Sequence, residues 1–334
     1  MTIPTEFNGF TELSIDKRSS AGVEKLARSP SYFHNLEQNL LKESTMKLRR
    51  SLAIIAASTL AATGLVACSS DAKDGTTTIK IGTTDSTKKA WSTFEDKAKE
   101  AGIKLSIVDF SDYSTPNDAL NQNQIDVNLF QHLKFLAEYN TGKGADLTPI
   151  GATEIVPLAL FWKDHDSLDG IEGESIAIPN DSSNQGRAIN VLVQAGLLKL
   201  KHDGIVTPAP ADIDEGASKV KVTPIDAAQT TAAYGEGKPA IINNSFLDRA
   251  GIDPKLAVFQ DNPESQEAEP YINAFVTKAD KKDDPNINKL VELWHSPEVQ
   301  EGVKEDSKGT SVEVKRSPEE LQKILKRLEE AQGK

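Results

Sequence analysis

Several residue runs in this chain carry side chains suited to one kind of chemistry, the capture of a small zwitterion away from water. The run from Ile178 through Pro179, Asn180, Asp181, Ser182, Ser183, Asn184, Gln185 and Gly186 to Arg187 leaves an apolar strand, turns through small polar residues and enters a helix. Backbone N–H groups at a helix start are donors for an anion, and the planar fork of Arg187 matches a carboxylate. Taken alone, the run reads more simply as an N-cap followed by a structural or solvated Arg. Phe130, Gln131 and His132 fall where a strand ends and a helix begins, the position that faces the crevice of a parallel sheet. Phe130 and Phe135 offer aromatic edges to a thioether, and His132 offers a hydrogen bond. The alternative for these three is core packing and a His satisfied by backbone. Tyr113 follows the preceding strand and is placed in the same way. Asn243 and Asn273 end or interrupt apolar strands. A buried amide needs partners, so each is a ligand contact or a local cap. A bound zwitterion requires a paired carboxylate, a hydrogen-bonded ammonium and a wrapped side chain, and the 178–187 run could supply the first of these.

The elements that must position them alternate. Thr78–Gly82 reads as a strand. A helix follows over Lys88–Glu100 with Ala90, Trp91, Phe94 and Ala98 on one face, then a strand over Ile103–Phe110. Pro116 opens a short helix to Leu120, Ile125–Phe130 is a third strand, and a helix from Gln131 to Tyr139 stops before Gly142. This order predicts a parallel sheet covered by helices. Glu154–Trp162 is a long apolar extended segment. A second alternating set follows: strand Ser175–Ile178, helix Ser183–Ala195, strand Val220–Ile225, helix Ala227–Glu236 and strand Pro239–Ile242. A second extended segment covers Tyr271–Thr277, and the tail is helical over 287–295, 297–303 and 318–331. Two α/β sets joined by two long extended segments predict two lobes that the chain crosses twice. A ligand cleft is then expected between the lobes, over a hinge.

Composition narrows the partners. The net charge of -12 argues against a nucleic-acid surface, which needs clustered Lys and Arg. Cys68 is the only cysteine, so no intrachain disulfide is available. Lys47, Arg49 and Arg50 follow Met46, an uncharged apolar run spans Ser51–Leu65, and Leu65, Val66 and Ala67 lead into Cys68. That order is the order of a secretory signal, and the run is shorter than the roughly 20 apolar residues of a membrane span. The Leu-Val-Ala-Cys end resembles a bacterial lipobox. It implies lipidation of Cys68, a signal peptide over 46–67, a tether over 68–77, and a disordered extension or mis-assigned start over 1–45. From Cys68 onward, 30 Lys and Arg stand against 44 Asp and Glu, a balance of -14.

Five groups of residues in fixed order carry a family resemblance. They are Phe110-Ser-Asp-Tyr113 with Pro116-Asn-Asp-Ala-Leu120; Ile125-Asp-Val-Asn-Leu-Phe-Gln-His132; Ile178-Pro-Asn-Asp with Asn184-Gln-Gly-Arg187; Gly196-Leu-Leu-Lys-Leu-Lys201; and Pro270-Tyr-Ile-Asn273. Over Lys80–Val303 they resemble the NlpA family of methionine-binding lipoproteins, the substrate-binding subunits of a methionine ABC importer. The resemblance implies an α/β, two-lobed, type II periplasmic-binding-protein fold whose lobes are joined by two crossing strands, with lobe I formed by 78–155 and 274–334 and lobe II by 156–273. It also implies no catalysis and no cofactor or metal. Arg187 would grip the ligand carboxylate, Asn243 and Asn273 would hold the amino-acid head, and Tyr113, Phe130, His132 and Phe135 would line the side-chain pocket. Methionine, the permease and ATPase subunits, and the membrane reached through the lipid anchor are the implied partners.

Three positions depart from the family pattern. Phe135 and Phe161 stand where Tyr is common, so the pocket is expected to be drier. Glu154 stands where the family is apolar or neutral, and a surface carboxylate is the simpler expectation than a counter-ion for the ligand ammonium. Competing readings are the same fold with another amino acid, a methionine-containing dipeptide or an organosulfur compound, a hydrolase, or a structural lipoprotein. The chain has no Gly-x-Ser-x-Gly elbow, no His-Glu-x-x-His and no Walker loop. His34, His132, His165, His202 and His295 are scattered, with no His-rich loop for zinc.

Overall fold

The computed structural model describes residues 76–332. The extension, the signal and Cys68 lie outside the described residues. Strand β1 (Thr77–Thr83) pairs in parallel with β2 (Ile103–Asp109) and with the short β3 (Val127–Asn128). Helix α1 (Lys89–Glu100) covers them and buries Ala90, Trp91, Phe94 and Ala98, the stripe that its spacing predicts. Its first turn lacks a side-chain cap of its own; the Asp306 carboxylate accepts from Lys89 N at 3.0 Å and Ala90 N at 2.9 Å instead. Helix α2 (Pro116–Asn121) follows β2, and α3 (Leu133–Lys143) follows β3. The α3 helix runs through Gly142 and ends at Gly144, whose left-handed φ of 61° closes the C-terminus.

β4 (Leu147–Ala152) completes this sheet on the far side of β11 (Ala274–Lys278), in the order β2-β1-β3-β11-β4. β11 is antiparallel to both neighbours, so the all-parallel sheet expected from the alternation is corrected to a mixed one. The cause is topological: β11 enters from the other lobe without the crossover helix that a parallel neighbour needs. The second sheet has the order β10-β6-β9-β7-β8. Its strands are β6 (Ala159–Phe161), β7 (Ser175–Pro179), β8 (Lys221–Ile225), β9 (Ala240–Ile242) and β10 (Ala257–Gln260). β7 is parallel to β8 and β9, whereas β6, again the strand arriving from the other lobe, is antiparallel to β9. Helix α4 (Ser182–Gln194) buries Ala188, Ile189, Val191 and Leu192 against this sheet, and α5 (Thr230–Gly235) follows a 3-10 turn at Ala227–Gln229.

The fold is thus a two-lobed type II binding-protein fold. The chain crosses between the lobes through 153–158, which holds β5 (Glu154–Ile155), and again through 261–273. The second crossing is not extended from Tyr271, because a 3-10 turn occupies Gln266–Tyr271 and the strand begins at Ala274. The crossings are tied at both ends: Thr153 N donates to Asn273 O and Asn273 N to Glu154 O, each at 2.9 Å, and Leu158 N donates to an Asp261 carboxylate oxygen at 2.9 Å. A third segment joins them, since β12 (Val312–Glu313) pairs with β5. Helices α6 (Pro285–Trp294) and α7 (Pro297–Asp306) pack beside α1, where a Cβ on Gly302 would meet the Ala90 backbone at 2.9 Å. The last helix, α8 (Pro318–Gln332), packs on α3 and β4.

Candidate functional site

The third strand shows how local sequence aims the site. Expected over Ile125–Phe130, it keeps ladder pairing only at Val127–Asn128. The chain then bends into the cleft, with Leu133 N bonded to Ile272 O at 3.0 Å and Ala274 N to Gln131 O at 3.2 Å. Beneath this bend Asn117, Asn128 and Gln131 exchange four side-chain hydrogen bonds of 2.6 to 3.0 Å. All three are buried and mutually satisfied, which holds the backbone that delivers Phe130 and His132.

All seven residues singled out in the sequence line one cavity between the lobes, with an empty volume of about 950 Å³ counting the space that opens to solvent. At one end, Tyr113 meets Phe130 and Phe135 at centroid separations of 5.9 Å each and Phe246 at 4.9 Å, while Phe130 and Phe135 meet edge to face at 5.8 Å. Burial pushes the Tyr113 phenol far up, so this end stays neutral. Phe161 does not line it: the ring lies in the lobe core, edge-on to Tyr234.

His132 caps α3, its Nδ1 accepting from Phe135 N at 3.1 Å. That assignment places the proton on Nε2, which donates to Asn184 Oδ1 at 3.3 Å across the cleft. Burial first, then the Arg187 charge, lower its pKa to about 3, so the imidazole is neutral. Asn184 is the hub that the sequence analysis did not assign. Its oxygen also accepts from Asn243 Nδ2 at 2.9 Å, and its Nδ2 donates to Asp181 at 2.9 Å. Asn243 Oδ1, by contrast, is buried with no hydrogen-bond partner among the described residues. Asn273 donates from Nδ2 to Glu154 O at 3.1 Å.

Arg187 lies in the second turn of α4 rather than the first. Its Nε and Nη2 hold Asp261 at 2.7 and 3.2 Å, Nη2 also reaches Val156 O at 2.9 Å, and its guanidinium carbon sits 4.1 Å from the Tyr271 ring centroid. One edge of the guanidinium is therefore spent on the two crossings, and Nη1 has no hydrogen-bond partner among the described residues. The start of α4 is likewise not the open set of N–H groups expected: the Asp181 carboxylate caps it, accepting from Asn184 N at 3.0 Å. Glu154 is corrected as well. It faces the cavity rather than solvent, and burial raises its pKa despite the nearby Lys88. Asp261 carries no sequence signal, because it acts through a partner remote in sequence; Tyr271 stands in the Pro270-Tyr-Ile-Asn273 motif, but its contact with Arg187 is not encoded locally.

The lobes meet on both rims of this cleft. Thr87 Oγ1 donates to Asp248 at 2.6 Å, Lys88 Nζ to Asn244 Oδ1 at 2.6 Å, and Arg249 to Asp109 at 2.5 Å. On the opposite rim Lys134 reaches Thr207 and Ser182 reaches Glu138.

The family model described as NlpA lipoprotein matches residues 79–315. The chain belongs to the NlpA lipoprotein family. It is 34% identical over 255 residues to the D-methionine-binding lipoprotein MetQ of Escherichia coli K12, covering 74% of this chain and 92% of that protein. Protein PG110 of Staphylococcus aureus superposes with a TM-score of 0.71 at 36% identity, covering 75% of this chain and 99% of the other. A nutrient-binding protein of Burkholderia cenocepacia, solved bound to methionine, superposes at 0.65 with 33% identity, covering 70% and 99%. Membership of the NlpA family makes the chain a solute-binding protein and not an enzyme. No helix among the described residues is long and apolar enough to cross a membrane.

Proposed function

We propose that the chain is a lipid-anchored, extracytoplasmic receptor that captures methionine and delivers it to the permease and ATPase subunits of an ABC importer. One observation carries the reading: the seven residues chosen from sequence converge on one cavity, where a buried amide oxygen of Asn243 lacks a donor. A buried acceptor without a partner costs about 1–3 kcal/mol, and a ligand ammonium relieves it. The free Nη1 edge of Arg187 takes the ligand carboxylate. Asn273 supports the head group beside Asn243. Tyr113, Phe130, His132 and Phe135 enclose the thioether, which gains from aromatic edges. The names and titles of the relatives support the same ligand.

In this mechanism residues 78–155 with 274–334 move as one body and 156–273 as the other, hinged at the tied crossings. The ligand is gripped, the rims close over it, and the closed form docks on the permease. Cys68, acylated after removal of the 46–67 signal, supplies the anchor. Calorimetric titration of the refolded protein against a panel of amino acids, including both enantiomers of methionine, tests the ligand. Saturable binding of methionine ahead of the other amino acids is the expected outcome, and binding of none of them would refute the reading.

A further inference from the structure

The same cavity is also lined by Trp91 and Trp294 and by Asp85, Lys88, Glu154 and Asp306. Three carboxylates thus surround one ammonium, and two of the three are fully engaged. Asp85 holds Lys88 Nζ at 2.7 Å and accepts from Thr83 Oγ1 at 2.8 Å and Trp91 Nε1 at 3.0 Å. Asp306 is committed to the two N–H groups that open α1. Lys88 itself is spent on Asp85 and on Asn244 Oδ1 across the cleft.

Glu154 differs from both. Its backbone oxygen is pinned by the N–H and the amide of Asn273, at 2.9 and 3.1 Å, so its position at the crossing is fixed. Its carboxylate accepts from Trp294 Nε1 at the long distance of 3.4 Å, and the Lys88 charge and the Thr153 hydroxyl also act on it, against the larger effect of burial. Facing the same cavity are two amide oxygens with no donor among the described residues: Asn273 Oδ1, and Asn243 Oδ1 on a residue only 8% exposed. An ammonium group carries three N–H donors and no acceptor, and these are three acceptors that want donors.

We propose that Glu154 is the charged counter-ion of the ligand ammonium, so that the site selects α-amino acids over analogues lacking the amine by charge as well as by hydrogen bonding. The assignment rests on the amino-acid reading above and deepens it. The Arg187 charge in the same cavity is already balanced by Asp261, so a ligand carboxylate adds one negative charge there. An ammonium at Glu154 restores neutrality within the bound pair.

The test is calorimetric titration of the parent protein and of Glu154→Gln with methionine and with its α-hydroxy analogue, which keeps the carboxylate and thioether and replaces the amine with a hydroxyl. In Glu154→Gln, methionine affinity should fall about ten- to hundredfold, as expected for loss of a charged partner, while affinity for the hydroxy analogue stays within about threefold. Glu154→Asp, which keeps the charge on a shorter arm, should recover part of the preference. A purely structural role would lower both ligands together. A ratio in Glu154→Gln equal to that of the parent overturns this assignment alone, whereas failure of the parent to bind any amino acid overturns the amino-acid reading and this assignment with it.

Discussion

At the aromatic end of the cavity, Tyr113, Phe130, Phe135 and Phe246 touch through ring edges and faces. At the polar end, Asn184 alone joins His132, Asn243 and Asp181, while Arg187 is clamped by Asp261, Val156 and Tyr271. Ring contacts are weakly directional and contribute about 0.5–1.5 kcal/mol each, so the apolar wall adapts to a change of side chain. Hydrogen bonds among buried groups are directional, and leaving one partner unmet costs more than the bond was worth. On the proposed function the first end would select a slender apolar shape, whereas the second would present donors and acceptors already held in place.

Replacing Arg187 with Ala should break this contrast most severely. Asp261 would be left largely buried without its cation, which costs about 3–5 kcal/mol of stability. Urea unfolding should report that loss, and titration should report at least a tenfold drop in affinity. Next in size is a pH effect at the boundary between the two ends. His132 has a pKa of about 3 in the fold against an ordinary value of 6.5, so the unfolded chain binds a proton that the folded chain refuses. Stability from this group is complete above about pH 6.5 and declines as pH falls toward 3, by up to about 1.4 kcal/mol per pH unit. Melting temperatures of His132→Asn across that window should fall less steeply than those of the parent. Equal slopes would show that the imidazole is not held neutral.

Asn184→Ala sharpens the comparison from the polar side. It strips the acceptor shared by His132 and Asn243, and an affinity loss of about tenfold is expected with a stability loss of about 1–3 kcal/mol. Phe130→Leu should matter least. It keeps an apolar wall and gives up two ring contacts, with Tyr113 and Phe135, so at about 0.5 kcal/mol each, about 1 kcal/mol of binding, near fivefold, is the expected change. If Phe130→Leu proved more damaging than Asn184→Ala, the aromatic end would be the selective one and the ranking would reverse.

Much of this was legible in the residue order. The stripe of Ala90, Trp91, Phe94 and Ala98 announced α1 because a helix exposes its apolar period directly. The seven residues that line the cavity were legible for a related reason: they stand at strand ends and helix starts, where an α/β chain presents side chains to its crevice. Local patterning could not reveal how those residues are already occupied. Asp181 fills the helix start that looked open to an anion, and Asp261, a long way along the chain, takes half of the Arg187 fork.

What the sequence determined by itself was the alternation of elements, the family and the seven residues of the cavity, because each is encoded in spacing or in short ordered motifs. Only the tertiary structure decided that β6 and β11 run antiparallel, that Phe161 belongs to the core, and that Glu154 faces the cavity. Those outcomes depend on which distant backbone lies alongside and which groups it desolvates. A side chain's partners, unlike its periodicity, are set by residues that its neighbours in sequence never touch.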